Sequence, residues 1–74
     1  MFFHDGGSRT TQVGFVNRNS QECHGTRDVP GNDHGQYSYK MMCRLCCLEY
    51  GANGSDVFQR KCPRCQGGEP GISF

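Results

Sequence analysis

Two Cys-x-x-Cys pairs, Cys43/Cys46 and Cys62/Cys65, face each other across fifteen residues in the stretch CRLCCLEYGANGSDVFQRKCPRC. A tight turn with two residues between cysteines aims both sulfurs at one point, and its backbone N–H groups can donate to them. Two such turns offer four thiolates in the spacing of a four-cysteine zinc site, with Zn–S bonds near ~2.3 Å. Cys43, Cys46, Cys62 and Cys65 are therefore the expected ligands of one Zn2+ ion. Sulfur ligands alone do not choose between zinc and iron, so a single iron is the alternative. Cys47 lies directly against the first pair. The equal spacing of the two pairs assigns Cys46 as the ligand; Cys47 would need a C-x3-C turn, and otherwise reads as a small apolar residue beside the site.

CRLC and CPRC resemble the two knuckles of the zinc-ribbon superfamily, the second in its C-P-x-C form. The likeness covers about residues 37–68, and YGANGSDVFQRKCPRCQGG is similar to small, uncharacterised bacterial zinc-ribbon proteins. The resemblance implies three antiparallel strands. It also implies a role in nucleic-acid binding, in transcription or translation machinery, or as an assembly module. Many ribbons place glycine where this chain has Cys47, a departure that bears on the turn there.

The elements that must position the cysteines have little apolar material. Leu, Ile, Val and Phe make up only 12 of the 74 residues, below the level at which a chain normally builds a core. Eleven glycines raise the entropy lost on folding. Chains of this size need a staple, and the metal is the expected one. Disorder of such a composition usually accompanies a large net charge, whereas this chain carries +1.

Tyr37, Tyr39 and Met41 alternate with Ser38 and Lys40, which predicts a strand running into Cys43. A second β-prone run, VFQRK, is expected to deliver Cys62. Tyr37, Tyr39, Met41, Leu48, Tyr50 and Phe58 are the candidate core. Upstream, TQVGFV and ECHGT suggest a hairpin around the turn NRNSQ, followed by the loop DVPGNDHG. The expected fold class is a small metal-stabilised, mainly antiparallel β domain: a zinc ribbon with an N-terminal β-hairpin or loop extension. Residues 1–10 and 69–74 read as flexible ends, 11–36 as the extension and 37–68 as the ribbon.

Five bases, Lys40, Arg44, Arg60, Lys61 and Arg64, lie between residues 40 and 64 against Glu49 and Asp56, a local +3 with aromatics interleaved. They are the candidate nucleic-acid contacts. Four thiolates around Zn2+ carry −2, which lowers that local total to about +1 and the whole chain to about −1. A dedicated nucleic-acid domain shows a more basic face. A protein-interaction adaptor without nucleic-acid contact is therefore the alternative, and rubredoxin-like single-iron electron transfer the second alternative.

Catalysis is not expected, because four thiolates leave no open position on the ion. The chain has no Ser-His-Asp pattern, phosphate loop or H-E-x-x-H motif. Asp28, Asp33 and His34 fit a turn with a solvated histidine, and no small-molecule substrate is inferred. Cys23 and His24, with His34 or His4, match no established metal-ligand spacing, though a second site there is an open alternative, as is a Cys23–Cys47 disulfide in an oxidised sample. MFFHDGGSRTTQ lacks the features of a signal peptide, and no segment approaches the ~20 apolar residues of a membrane span. The expected setting is the cytoplasm, where thiols stay reduced and paired cysteines favour metal.

Overall fold

Three strands make the frame of the computed structural model, which describes residues 3–32 and 35–74. Strand β1 spans Gln21–Pro30, β2 Tyr37–Cys43 and β3 Glu49–Asn53, in an antiparallel sheet of order β1-β2-β3. Two 3-10 helices, Arg9–Thr11 and Gly54–Gln59, complete the regular structure. The result is a small mainly-β domain with almost no helix. Asp33 and His34 of the expected DVPGNDHG loop lie outside the described residues, and Asp28 to Pro30 belong to β1.

The alternation read in β2 places Tyr39 and Met41 on the inner face, against Cys23 of β1, Tyr50 and Ala52 of β3, and Val57. Phe15 and Leu48 pack on this cluster from outside. Two expected core residues do not join it. Tyr37 lies at the open end of β2 and Phe58 points outward, at 49% and 47% exposure. Val57 takes the place of Phe58.

The VFQRK run is not a strand: its first three residues close the 3-10 helix Gly54–Gln59. With three residues per turn, positions 57 and 60 share one face, and Val57 and Arg60 are the two residues of this stretch that are buried beneath it. An alternating strand would have paired Val57 with Gln59 instead. The sheet gains its third strand from upstream, since β1 pairs Gln21 with Cys43 and Cys23 with Met41. ECHGT is strand as expected, but it pairs with β2 and not in a full hairpin with TQVGFV. Of TQVGFV, only Val16 makes a bridge, to Glu22.

Both outer edges of the sheet are partly closed by short pairings. His4 exchanges backbone hydrogen bonds with Thr26 at 2.8 and 2.9 Å, and the Ile72 N–H reaches the Gly51 carbonyl at 3.0 Å. A Cβ on Gly51 would stand 2.2 Å from the Ile72 carbonyl oxygen, so only glycine lets the tail lie this close. These pairings blunt edges that would otherwise template association. No helix among the described residues is long and apolar enough to cross a membrane.

Candidate metal centre

β2 ends on Cys43, and a turn over residues 44–46 carries the chain to Cys46 before β3 begins. The Cys47 N–H closes this turn on the Cys43 carbonyl at 2.8 Å. The second turn repeats it, with the Gln66 N–H on the Cys62 carbonyl at 3.2 Å. In each, the first sulfur accepts from the backbone two residues on: Leu45 N–H to Cys43 Sγ at 3.4 Å and Arg64 N–H to Cys62 Sγ at 3.3 Å. Cys65 N–H adds a third such bond, to Cys62 Sγ at 3.4 Å.

The four sulfurs meet. Cys43 Sγ lies 3.6 Å from Cys65 Sγ, Cys46 Sγ lies 3.6 Å from Cys62 Sγ, and all four fall within 4.8 Å of one another. A tetrahedron with ~2.3 Å metal–sulfur bonds has edges of about 3.8 Å, so the donor set fits one tetrahedral ion. Among the described residues no other group of three or more Cys, His, Asp or Glu side chains converges in this way. Cys23 is buried in the core, while its strand neighbour His24 turns to the other face and pairs with Glu22 at 3.3 Å. His4 binds Asp28 instead, at 3.1 Å. Successive strand residues point to opposite faces, which separates Cys23 from His24 as partners in a site.

Cys47 is exposed, outside the cluster, at a φ of 66°. A non-glycine residue there is strained by about 1 kcal/mol, partly offset by the extra chain entropy glycine loses on folding. Cys47→Gly should retain one metal per chain and leave stability unchanged or raise it by up to about 1 kcal/mol in chemical denaturation. Loss of metal in this variant would make Cys47 a ligand.

An amide network from the N-terminal extension holds the two turns together. Gln21 is fully buried. Its Nε2 donates to Cys43 Sγ at 3.3 Å and to the Asn19 carbonyl at 2.9 Å, and lies 3.2 Å from Gln66 Oε1. Its Oε1 accepts from Tyr50 Oη at 2.8 Å. Burial pushes the Tyr50 phenol well above its usual range, which keeps it a donor. Gln66 in turn accepts the Cys62 N–H at 2.7 Å. Asn17 joins this network to the 3-10 helix, donating to the Val57 and Arg60 carbonyls at 2.8 and 2.9 Å and accepting the Gln21 N–H. Hydrophobic patterning carries no trace of this network. Its one sequence signal is the crowding of amides in NRNSQ and the glutamine after CPRC.

The thiols are not equivalent. Burial pushes Cys43 up, but hydrogen bonds from Gln21 and from the Cys46 and Leu45 N–H groups, with the Cys65 thiol, outweigh it and bring Cys43 down to about 6. For Cys46 the Leu48 N–H works downward, yet burial and the thiols of Cys62 and Cys43 leave it raised. Burial and the neighbouring sulfurs push Cys65 up to about 12. Four sulfurs this close cannot all ionise without a cation between them.

Metal uptake at pH 7 therefore displaces protons from at least Cys46 and Cys65. Protons compete with the ion, so affinity is high at high pH and falls as pH falls. The metal-free chain is expected to be largely unfolded, so its thiols are protonated at pH 7 as free cysteines are, and we expect a loss of at least about 100-fold between pH 7 and pH 6. Competition with a chelator at fixed pH values checks this, and a tenfold loss or less would contradict it.

The five candidate bases separate into two groups. Arg60 is only 7% exposed. Its guanidinium donates to the Glu69 and Pro70 carbonyls and lies 5.1 Å from the Tyr50 ring centre, so it holds the tail and is withdrawn from any solvent-facing contact set. Lys40 pairs with Glu49 at 3.3 Å and lies over the Phe3 and Phe74 rings. Arg44, Lys61 and Arg64 stay exposed around the cysteine turns, Arg44 with Glu22 at 3.8 Å. The Asn17–Ser20 turn adds exposed Arg18 to this end, because the Ser20 carbonyl takes the Arg44 N–H at 2.9 Å.

Compared with protein-family models, curated proteins and solved structures, the chain matches none.

Proposed function

We propose that the four cysteines hold one zinc ion as the structural centre of a zinc-ribbon-type module, and that this module binds nucleic acid or helps to assemble a nucleic-acid-associated complex. The convergence of four sulfurs within 4.8 Å supports it most directly. When bound, the ion supplies charge compensation and cross-linking: four thiolates saturate a tetrahedral centre and leave no position for substrate. The chain's own residues then do the rest. The backbone N–H groups of Leu45, Arg64 and Cys65 and the amide of Gln21 stabilise thiolate charge, and the sheet fixes where the two turns meet. The module acts through its surfaces and is not an enzyme.

Arg18, Arg44, Lys61 and Arg64 crowd the metal end, where a phosphate backbone would find cations without a strong net field. Labelled single-stranded DNA and RNA titrated with zinc-loaded protein test the reading. With about three phosphates neutralised, affinity should fall about 20-fold between 50 and 200 mM salt. Absence of binding to any nucleic acid at 50 mM salt would refute it and leave the protein-adaptor reading.

A further inference from the structure

A shallow groove of about 390 Å3 opens beside the sheet, away from the cysteines, with the exposed aromatics Tyr37 and Phe58 on its lining. Its volume is in the about 300–1,000 Å3 range of ligand sites. Three separate elements build it: Tyr37 comes from the start of β2, Phe58 from the 3-10 helix Gly54–Gln59, and Ser8, Thr10 and Thr11 from the first 3-10 helix and its cap. Tyr39, Gln36 and Ser55 add to the lining. No charged side chain is among the described residues that line it. Aromatic faces, hydroxyls and one carboxamide therefore meet with no acid among the described lining residues.

Two further observations point to a ligand. Gln36 Oε1 accepts the Ser55 N–H at 3.1 Å, which fixes the carboxamide and leaves its NH2 group as a positioned donor. Gly7, also on the lining, has no conformational reason to be glycine: its φ is not positive, and an added Cβ would meet nothing within 4 Å. A side chain added there would displace no neighbour. Arg9 stands between the lining residues Ser8 and Thr10, exposed and without an ion-pair partner among the described residues.

We propose that this groove takes an unpaired nucleobase of a single strand, stacked against Tyr37 and Phe58, with Arg9 on the adjoining phosphate. The proposal rests on the nucleic-acid reading above and adds a site to it. A base offers two π-faces to the aromatics and a polar edge to Gln36 and the hydroxyls. Stacking platforms beside a cation are the recurring solution for single strands. A duplex hides its base faces and gains nothing from the groove.

The test uses the zinc-loaded chain and labelled oligo-U and oligo-dT, with a duplex of equal length. Tyr37→Ala and Phe58→Ala should each weaken single-strand binding by about 5- to 100-fold, and Gly7→Leu should do so by filling the groove. Tyr37→Phe should bind as the parent does. Unchanged zinc content and amide dispersion show that each variant is folded. Addition of a uridine mononucleotide should move the Tyr37 and Phe58 ring protons. Single-strand binding that all three groove variants retain within twofold, while Arg44→Ala and Lys61→Ala weaken it, would overturn the groove and leave the nucleic-acid reading standing. Equal affinity for duplex would overturn the groove likewise. No binding to any nucleic acid would overturn both.

Discussion

Cys62→Ser leaves the chain without metal and largely unfolded at neutral pH. Cys62 is fully buried, its sulfur accepts two backbone N–H groups, and its own N–H and carbonyl anchor the second turn through Gln66 and Gly68. Serine keeps the size but gives a hydroxyl that does not ionise at this pH, so the donor set loses its fourth thiolate. The apolar cluster numbers six buried residues, of which Cys23 and Ala52 are small. A structural zinc site contributes about 10–16 kcal/mol, against a typical domain stability of about 5–15 kcal/mol. Loss of that contribution exceeds what this core can carry alone. Zinc content near zero and collapsed amide dispersion in an NMR spectrum are the expected results. A native-like, dispersed spectrum from the metal-free variant would refute the coupling of metal and fold.

The second large effect is expected at Gln21, far in sequence from the four metal-site cysteines. Gln21→Leu preserves bulk and removes both halves of the amide. Tyr50 Oη loses its buried acceptor, Cys43 Sγ and the Asn19 carbonyl lose a donor, and Gln66 loses a neighbour. Each buried group left unpaired costs about 1–3 kcal/mol, and members of one network do not add independently. A total of about 2–4 kcal/mol follows from these values. Zinc affinity should fall about 10- to 100-fold, the usual range when a partner of a ligating group is removed. Urea denaturation and chelator competition measure the two quantities separately. Parent-like zinc affinity in this variant would show that the network supports the fold without supporting the site.

Spacing made the four cysteines legible because ligand geometry is local: two residues between sulfurs suffice to form each turn. Alternation likewise revealed β2, whose inner residues Tyr39 and Met41 are buried. Val57 and Phe58 were misassigned for a physical reason. Their β-branched and aromatic character suits a strand, but burial of Val57 and Arg60 on one face demands a period of three, which propensity does not encode. Tyr37 fits the alternation and still faces solvent, since it lies where the sheet ends. β1 was half hidden, because its ten residues are interrupted by register shifts between Cys23 and Thr26 and between Thr26 and Pro30, which break the periodic pattern. The Asn17–Gln21–Gln66 network left only the crowding of amides in NRNSQ and the glutamine after CPRC as a trace. Polar residues read as solvated turns until tertiary contact shows that each has an internal partner. Arg60 failed in the same way, as a cation that proved to be a buried clasp on the tail.

One metal ion, in a tetrahedral all-sulfur site made by Cys43, Cys46, Cys62 and Cys65, is expected to hold this sheet together. Titration of the reduced, metal-free chain with Co2+ tests it most directly, with the visible spectrum and the amide dispersion recorded on the same samples. Intense bands of tetrahedral thiolate-bound cobalt should saturate at one equivalent, with the fold appearing in step. Weak octahedral bands, saturation at another stoichiometry, or a dispersed fold before any metal is added would contradict it.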